Sequence, residues 1–369
     1  LERELPVILD VADDPRTWRP FLALPERLYR GDPHYCPPLR PAVLASLGRS
    51  KFFGRQRVLV AMNDRQALAR VVARISPTLS DSAGKPMGML GFFEAEDNSE
   101  AVRELLATAI RWLRNRGVRR IIGPMDGDTW HRYRFNQGPH DTAPFLMEPY
   151  NKPYYPAMWE ACGFVPLESY YSKQVADVTP AAAALAPILA RVEKRGYRLR
   201  KLVLENFREE LVILHRMSCD IFAENFFYDP ISVEDFIALY EPAKSLVDPE
   251  LVWFAQAPDG QYVGFLFAVV DYQQAVASMG YSRGKLAKFK FLLNRRRADA
   301  VNMKSLGVTA AHRKSGLGAA LMCRGYQQML ARGFRKANLC LIREGNPSGR
   351  LDGELGVVSR RYVLYQHSG

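Results

Sequence analysis

The stretch Leu306–Leu321, LGVTAAHRKSGLGAAL, decides how this chain is read. Its opening residues are apolar and predict a strand, and Arg313-Lys314-Ser315-Gly316-Leu317-Gly318 predicts a glycine turn. A helix starts there, with Leu317, Leu321, Met322, Tyr326, Met329 and Leu330 at helical spacing. The first N–H groups of such a helix have no acceptor inside it, and the helix dipole places partial positive charge at the same end. Two glycines let a ligand approach the main chain closely, so strand, turn and helix together make a seat for a phosphate or pyrophosphate.

Other phosphate motifs fit less well. A dinucleotide fingerprint needs G-x-G-x-x-G, whereas Gly316-Leu317-Gly318 runs into Ala319, Ala320 and Leu321. A P-loop fails as well, because Gly280-Tyr281-Ser282-Arg283-Gly284-Lys285 has too few residues between its glycines and Leu286 where Ser or Thr is needed.

Outward from the motif, Val301–Thr309 predicts a strand, Gly316–Arg332 a helix stopped by Gly333, and Ala337–Ile342 another strand. Upstream, Leu211–Phe222 and Val233–Tyr240 predict helices, and Leu251–Ala257 with Tyr262–Val270 a hairpin across Pro258-Asp259-Gly260. The first half runs in the same order. Arg57–Met62 and Gln66–Ile75 predict a hairpin across Asn63-Asp64-Arg65, and Met89–Glu94 a third strand. Asp97 with Glu100 resembles a capping box for a helix that Gly117 ends. Val118–Ile122, a short helix before Gly163-Phe164, and a strand through Ser169–Val175 follow. Arg116-Gly117-Val118-Arg119-Arg120 and Arg332-Gly333-Phe334-Arg335-Lys336 occupy the same helix-to-strand junction in each half. One α/β unit is therefore expected twice, as domains 1–177 and 178–369, with a join near Val175–Ala183.

A chain of 369 residues is more than one core usually organises, which agrees with two domains. At 48% hydrophobic and 24% charged, the composition excludes disordered, collagen-like and coiled-coil classes. Every apolar run is too short for a membrane span, so no membrane partner is expected. Cys36, Cys162, Cys219, Cys323 and Cys340 are odd in number, scattered and without a C-x-x-C pair, which argues against a disulfide framework or structural zinc and favours a reducing cytoplasm. No signal peptide is read at the opening Leu-Glu-Arg-Glu-Leu-Pro. The net charge of +12 favours acidic partners. Much of it is local, since Tyr281–Lys304 carries eight basic residues against Asp299 alone. That segment reads either as a solvated basic surface or as an anion-binding one.

Arg313-Lys314-Ser315-Gly316-Leu317-Gly318 resembles the R-x-x-G-x-G/A acyl-CoA motif of the GCN5-related N-acetyltransferase (GNAT) superfamily, in the family's position between strand and helix. Asn346 resembles the family's Asn before its last helix. The first half is similar to a bacterial group of tandem GNAT-like proteins through Leu28-Tyr29-Arg30-Gly31-Asp32-Pro33, Gly91-Phe92-Phe93-Glu94, Gly123-Pro124-Met125 and Pro149-Tyr150-Asn151-Lys152-Pro153-Tyr154-Tyr155. The resemblance implies an α/β, mixed-sheet (α+β) protein of two tandem GNAT-like folds. It implies acetyl-CoA or another acyl-CoA as co-substrate, an amine of a small molecule or peptide as acceptor, and no metal. The pyrophosphate would lie on the amides of Lys314, Ser315, Gly316, Leu317, Gly318 and Ala319. The pantetheine arm would pair with Leu306–Val308, with the N–H near Val308 polarising the thioester carbonyl.

The chain departs from the family twice. Pro347–Gly353 lacks the Tyr that many GNAT enzymes use to protonate the thiol. In the first half, Glu94-Ala95-Glu96-Asp97-Asn98-Ser99 puts carboxylates where a pyrophosphate would go, so that copy is expected to lack a CoA site and to wall the acceptor cleft or stabilise its partner copy. Glu224, Tyr228, Asp271 and Tyr272 fall near the acceptor side by element order, and Glu224, Tyr228 and Asp271 are the candidate catalytic groups. His215 and Cys219 could form a metal pair or an activated thiol, and Asp126, Asp128 and His131 a metal loop, but core packing and turn formation explain both sets with no further ligands. Tyr150, Tyr154, Tyr155 and Trp159 either line the acceptor pocket or pack at the join. Two competing functions stand beside N-acyl transfer. One is aminoacyl or peptidyl transfer from a tRNA-borne donor, with the basic segment on RNA; the other is a CoA sensor without turnover.

Overall fold

Hydrophobic periodicity alternates between the strand and helix repeats along the whole chain, and the elements follow it. The computed structural model describes residues 6–13, 15–64, 66–280 and 284–368; the opening residues 1–5, the expected turn residue Arg65, and Tyr281, Ser282 and Arg283 of the basic segment lie outside them. The first half runs Val7–Asp10 (β1), Trp18–Leu28 (α1), Arg40–Leu47 (α2), Gln56–Met62 (β2), Ala67–Ser80 (β3), Pro86–Ala95 (β4) and Ser99–Arg114 (α3). Arg120–Gly123 (β5), Phe135–Gly138 (β6), Tyr155–Ala161 (α4) and Val165–Val175 (β7) complete it. The second half runs Thr179–Lys194 (α5), Arg198–Lys201 (β8), Phe207–Phe222 (α6), Val233–Tyr240 (α7), Val252–Gln256 (β9), Tyr262–Val270 (β10), Gln273–Ala277 (α8) and Lys285–Asn294 (α9). It ends with Ala300–Val308 (β11), Leu317–Ala331 (α10), Lys336–Arg343 (β12) and Val357–Ser368 (β13).

The series β2-β3-β4-α3-β5-α4-β7 recurs as β9-β10-β11-α10-β12, a short 3-10 turn at Pro347–Arg350, and β13. This is the duplicated α/β unit. The chain divides into two compact units, Leu1–Ser169 with Gln273–Leu293 and Arg361–Gly369, and Tyr170–Tyr272 with Asn294–Arg360. Each copy's last strand crosses into the other unit. In the first unit the strand order is β1-β2-β3-β4-β5-β13, and β13 pairs with β5 from Tyr365↔Gly123 to Ser368↔Arg120. In the second it is β8-β9-β10-β11-β12-β7, and β7 pairs with β12 from Val175↔Ala337 to Tyr170↔Arg343. Both sheets are antiparallel except at the two equivalent pairs β4/β5 and β11/β12.

Each sheet has its own core. In the first unit α3 buries Val102, Leu105, Leu106, Ala109 and Leu113 on β2–β4, beside Tyr155 and Trp159 of α4. In the second, α10 buries Leu317, Leu321, Tyr326 and Met329 against β9–β11 and packs along α5. The Ala run at the expected join is the first turn of α5, because alanine's high helix propensity extends the element begun at Thr179-Pro180. The α3 cap also differs from the expectation. Asn98 Oδ1, not Asp97, accepts the Ala101 N–H at 3.0 Å. Of the aromatic set, Tyr155 and Trp159 are core packing, wholly buried and edge-on to Phe93, whereas Tyr150 and Tyr154 are half-buried and Tyr150 lines a small pocket with Glu94, Arg132 and Asn151.

His367, near the end of the exchanged strand β13, lies against Phe164 with Nδ1 3.2 Å from the Arg114 guanidinium. Burial and then Arg114 depress its pKa below the ordinary value of 6.5. The unfolded imidazole therefore binds protons in a range where the folded one resists them, and stability falls as pH drops below about 6.5. Replacing His367 with Asn is expected to flatten the fall in melting temperature between about pH 7 and 5, as read by thermal unfolding of both proteins.

Candidate functional site

In the second unit the parallel pair β11/β12 is short. It runs from Ala300↔Lys336 to Met303↔Leu339, yet β11 continues to Val308 and β12 to Arg343. The strands part at two irregularities. The register of β11 on β10 shifts at Lys304, between Ser305↔Phe267 and Met303↔Ala268. That of β12 on β7 shifts between Leu339 and Ile342, where Leu341 has φ +54° and its N–H donates to Ser172 Oγ at 2.9 Å. Beyond the parting, β11 stays on β10 through Gly264↔Val308, and the Thr309 N–H donates to Val263 O at 2.9 Å. Alternation along an antiparallel ladder then turns the N–H and C=O of Leu306 and Val308 away from β10, toward the gap.

At the end of β11 a 3-10 segment, Ala310–Ser315, leads into α10. Gly316, the residue before α10, has φ +86°, and a Cβ there would come within 3.1 Å of Ile188 Cγ2 on α5. Glycine is thus required for the left-handed turn and for close packing on α5. Gly318 is different, since a Cβ there meets only Val308 Cγ2 at 3.8 Å. Leu317 N–H is taken by Ser315 Oγ at 3.2 Å, and the amides of Gly318 and Ala319 precede Ala320, whose N–H donates to Gly316 O at 3.0 Å as the first i−4 bond of the helix.

Cations gather at this turn. Arg195, after α5, donates to Ser315 O at 3.3 Å; Arg313 and Lys314 are exposed; and the His312 ring lies 2.9 Å from Tyr197 OH. Of the expected groups, Glu224 joins them, its exposed carboxylate 3.2 Å from Arg313 Nη1. Two residues on, the Phe226 ring lies under the Arg343 guanidinium at 5.6 Å. The 223–229 loop is therefore tied to the end of β11's motif and to the end of β12. Ile221, just before it, reaches the β11 backbone at Gly307, where a Cβ would lie 2.8 Å from its Cγ2.

Tyr228 lies in the same loop. Burial, and after it the neighbouring Cys219, push its phenol well above the ordinary 10.0. Cys219 Sγ is 3.3 Å from His215 Nε2, but that nitrogen donates to Ile231 O at 2.8 Å and so cannot also take the thiol proton. Asp271 is not brought to the motif. It follows the opposite end of β10, where its N–H donates to Ala300 O and Asn338 Nδ2 approaches its carboxylate at 3.3 Å. Tyr272 stands beside it. Asn346 is exposed and caps the Pro347–Arg350 turn, accepting the Ser348 N–H at 3.0 Å. Arg195, Phe226 and Arg343 carry no sequence signal for this site, because only the tertiary fold brings them to it.

The equivalent parting in the first unit is filled. The β4/β5 pair ends after Met89↔Ile122, and the chain that follows β5 folds back onto β4. Met125 N–H donates to Leu90 O at 2.8 Å, and Phe92 N–H to Asp126 Oδ1 at 2.6 Å. Gly91 permits this, because a Cβ there would fall 2.2 Å from Met125 O. Asp126 is held in turn by Arg132 Nε at 3.1 Å, and its carbonyl by Arg74 Nη1 at 3.0 Å. Asp128 is paired with Arg49 at 2.8 Å, Lys51 at 2.9 Å and His131 at 2.5 Å. Glu94 accepts from Tyr29 OH at 3.0 Å and Tyr155 OH at 2.9 Å. Among the described residues no cluster of three or more His, Cys, Asp or Glu side chains is arranged to hold a metal.

The sheet order, the parted parallel strands and the glycine turn between β11 and α10 are those of the GNAT fold, present twice in tandem. A solved tandem GNAT protein from the clavulanic acid biosynthesis pathway matches 98% of this chain and 98% of its own, at 13% identity and a TM-score of 0.53. In sequence, the chain is 25% identical to Protein YghO of Escherichia coli (strain K12), over 71% of this chain and 68% of that protein. It is 26% identical to a bacterial ceramide synthase of Caulobacter vibrioides (strain NA1000 / CB15N), over 74% of this chain and 72% of that one. No family profile matches the chain.

Removing the Asp126 carboxylate leaves the buried Phe92 N–H and Arg132 without it. Asp126→Ala is expected to cost about 3 kcal/mol of stability, read as a lower denaturation midpoint, whereas Asp126→Asn, which keeps an acceptor, should lose less.

Proposed function

We propose that this chain is an N-acyltransferase that joins an acyl group from acetyl-CoA or another acyl-CoA to an amine, with the acyl-CoA held by the carboxy-terminal copy, 178–369. The single observation that carries the proposal is the open parting of β11 and β12 leading into the Gly316 turn. The residues fit the group. The amides of Lys314, Ser315, Gly316, Gly318 and Ala319 and the cations Arg195, Arg313 and Lys314 suit a pyrophosphate, and the space above Gly318 leaves room for it. The main chain of Leu306–Val308 suits the amide-bearing arm, and the Val308 N–H suits a thioester oxygen. The amino-terminal copy, 1–177, lacks such a seat, because Met125 and Asp126 occupy its parting. One relative's name, ceramide synthase, agrees with amide-forming acyl transfer.

The thioester makes the acyl carbon electrophilic, and attack by the amine forms the C–N bond while the C–S bond breaks. The nitrogen must then lose a proton and the sulfur gain one. Tyr228 keeps its proton throughout the neutral range and serves as donor to the sulfur. Glu224, paired with Arg313, sets the charge at the motif, and the proton of the amine passes to water. Asp271, tied to Asn338 at the far end of β10, acts by holding that strand end. Asn346 fixes the turn beyond β12, on the flank of the same gap.

Calorimetry with acetyl-CoA tests the site. Gly318→Asp should abolish binding, about a hundredfold or more in Kd, with an unchanged fold, while Gly318→Ala should bind like the parent. Gly316 is the poorer place to substitute, since its left-handed turn would strain the fold itself. Heat from the parent that Gly318→Asp retains, or no heat but a salt-sensitive shift with tRNA, would overturn the placement in favour of another donor. Thiol release with a panel of amines reads turnover. Tyr228→Phe should lower kcat about a hundredfold with little change in KM for the thioester.

A further inference from the structure

The insertion between β10 and β11 carries a surface that acyl transfer does not use. Its segment Gln273–Leu293 belongs to the first unit, where Gln273 Nε2 donates to His34 O at 3.2 Å. Helix α9 buries Ala287 and half-buries Phe291. On the opposite side Leu286, Phe289, Leu292 and Leu293 stand 69%, 57%, 49% and 58% exposed. At 100° per residue these four fall in one arc, with Lys288 on one border, Lys290 on the other and Lys285 at its start. Arg295, Arg296 and Arg297 follow directly in sequence, all exposed. The helix is thus apolar on two sides, and only one of them is used by the fold.

We infer that the exposed stripe of α9 docks on the surface of an anionic phospholipid bilayer. Four large apolar side chains side by side are uncommon on a surface with nothing to cover them. The bracketing lysines decide what covers them. The buried centre of a protein interface is depleted in lysine, whereas an interfacial helix places lysine beside its apolar face, so that the stems lie along the acyl boundary and the ammonium groups reach the headgroups. A single helix without a long apolar run gives peripheral contact. No helix among the described residues is long and apolar enough to cross a membrane.

The test is sedimentation of the full chain with large vesicles, either pure phosphatidylcholine or phosphatidylcholine with 30% phosphatidylglycerol. The chain should bind the anionic vesicles at least tenfold better, and 0.5 M NaCl should weaken that binding. Lys285→Gln/Lys288→Gln/Lys290→Gln should lose about fivefold per lysine, roughly a hundredfold together. Phe289→Gln/Leu293→Gln should lose roughly tenfold or more. Circular dichroism would confirm that both variants fold, and because neither touches the Gly316 turn, both should bind acetyl-CoA like the parent. Equal binding to both vesicle types, or variants that sediment like the parent, would overturn the inference. So would a dimer that the Phe289/Leu293 variant dissolves, or RNA bound in place of vesicles.

Discussion

Where two hydrogen-bonded parallel strands part, the main-chain groups on their inner edges must find other partners, and the rest of this molecule follows from how each copy answers that demand. The first copy answers internally. Met125 and Asp126 return to β4 and take the edge groups of Leu90 and Phe92. The second copy keeps its strands apart by fixing each to its outer neighbour: β11 to β10, and β12 to β7 through Ser172. The peptide groups of Leu306 and Val308 are left facing a gap that ends at a helix N-terminus. One fold therefore yields a unit whose parting is satisfied internally and a unit whose parting leaves main-chain groups facing a gap.

The exchange of terminal strands ties these outcomes together. β7 is the last strand of the first copy in sequence, yet it forms the flank of β12 and supplies Ser172 to Leu341. It also brings Tyr171, whose hydroxyl would touch a Cβ placed on Gly349, and Lys173, which pairs with Asp352 at 3.0 Å. The far wall of the gap is thus built partly by residues encoded in the first half. β13 returns the service, with Tyr365 OH 2.6 Å from Glu160 Oε1 in the first unit. The first copy, whose own parting is filled, still has a physical reason to persist, because its last strand completes the sheet that carries the open one.

The hairpins, the α10 helix and the glycine turn could all be read from the sequence, because periodicity and Gly316 are local signals. So could the duplication, since element order survives where residue identity does not. The cap of α3 is ambiguous in sequence because Asp97 and Asn98 are adjacent and both are good caps, and only backbone geometry selects Asn98. The 3-10 segment at Ala310–Ser315 has no hydrophobic period to announce it. Strand exchange left no trace either, because β7 and β13 carry the same alternating pattern whichever sheet they join. The carboxylates of Glu94-Ala95-Glu96-Asp97 argue in sequence only from charge, whereas the residues that fill the first parting are Met125, legible only as part of a family-like motif, and Asp126, legible only as a turn or metal-loop residue.

The basic surplus divides by geometry into two kinds. Arg195, Arg313 and Lys314 stand beside a glycine turn at a helix N-terminus, an arrangement in which cations and the helix dipole favour a compact, multiply charged anion. The lysines of α9 are spread along a convex helix and interleaved with apolar side chains, so no single anion can satisfy them together. Their natural counterpart is a surface with many dispersed negative charges above an apolar layer. Net charge alone could not separate these cases, because it counts both alike. Neighbours do separate them: one group of cations stands beside the main-chain amides of a glycine turn in the second unit, the other beside exposed apolar side chains on the insertion anchored to the first.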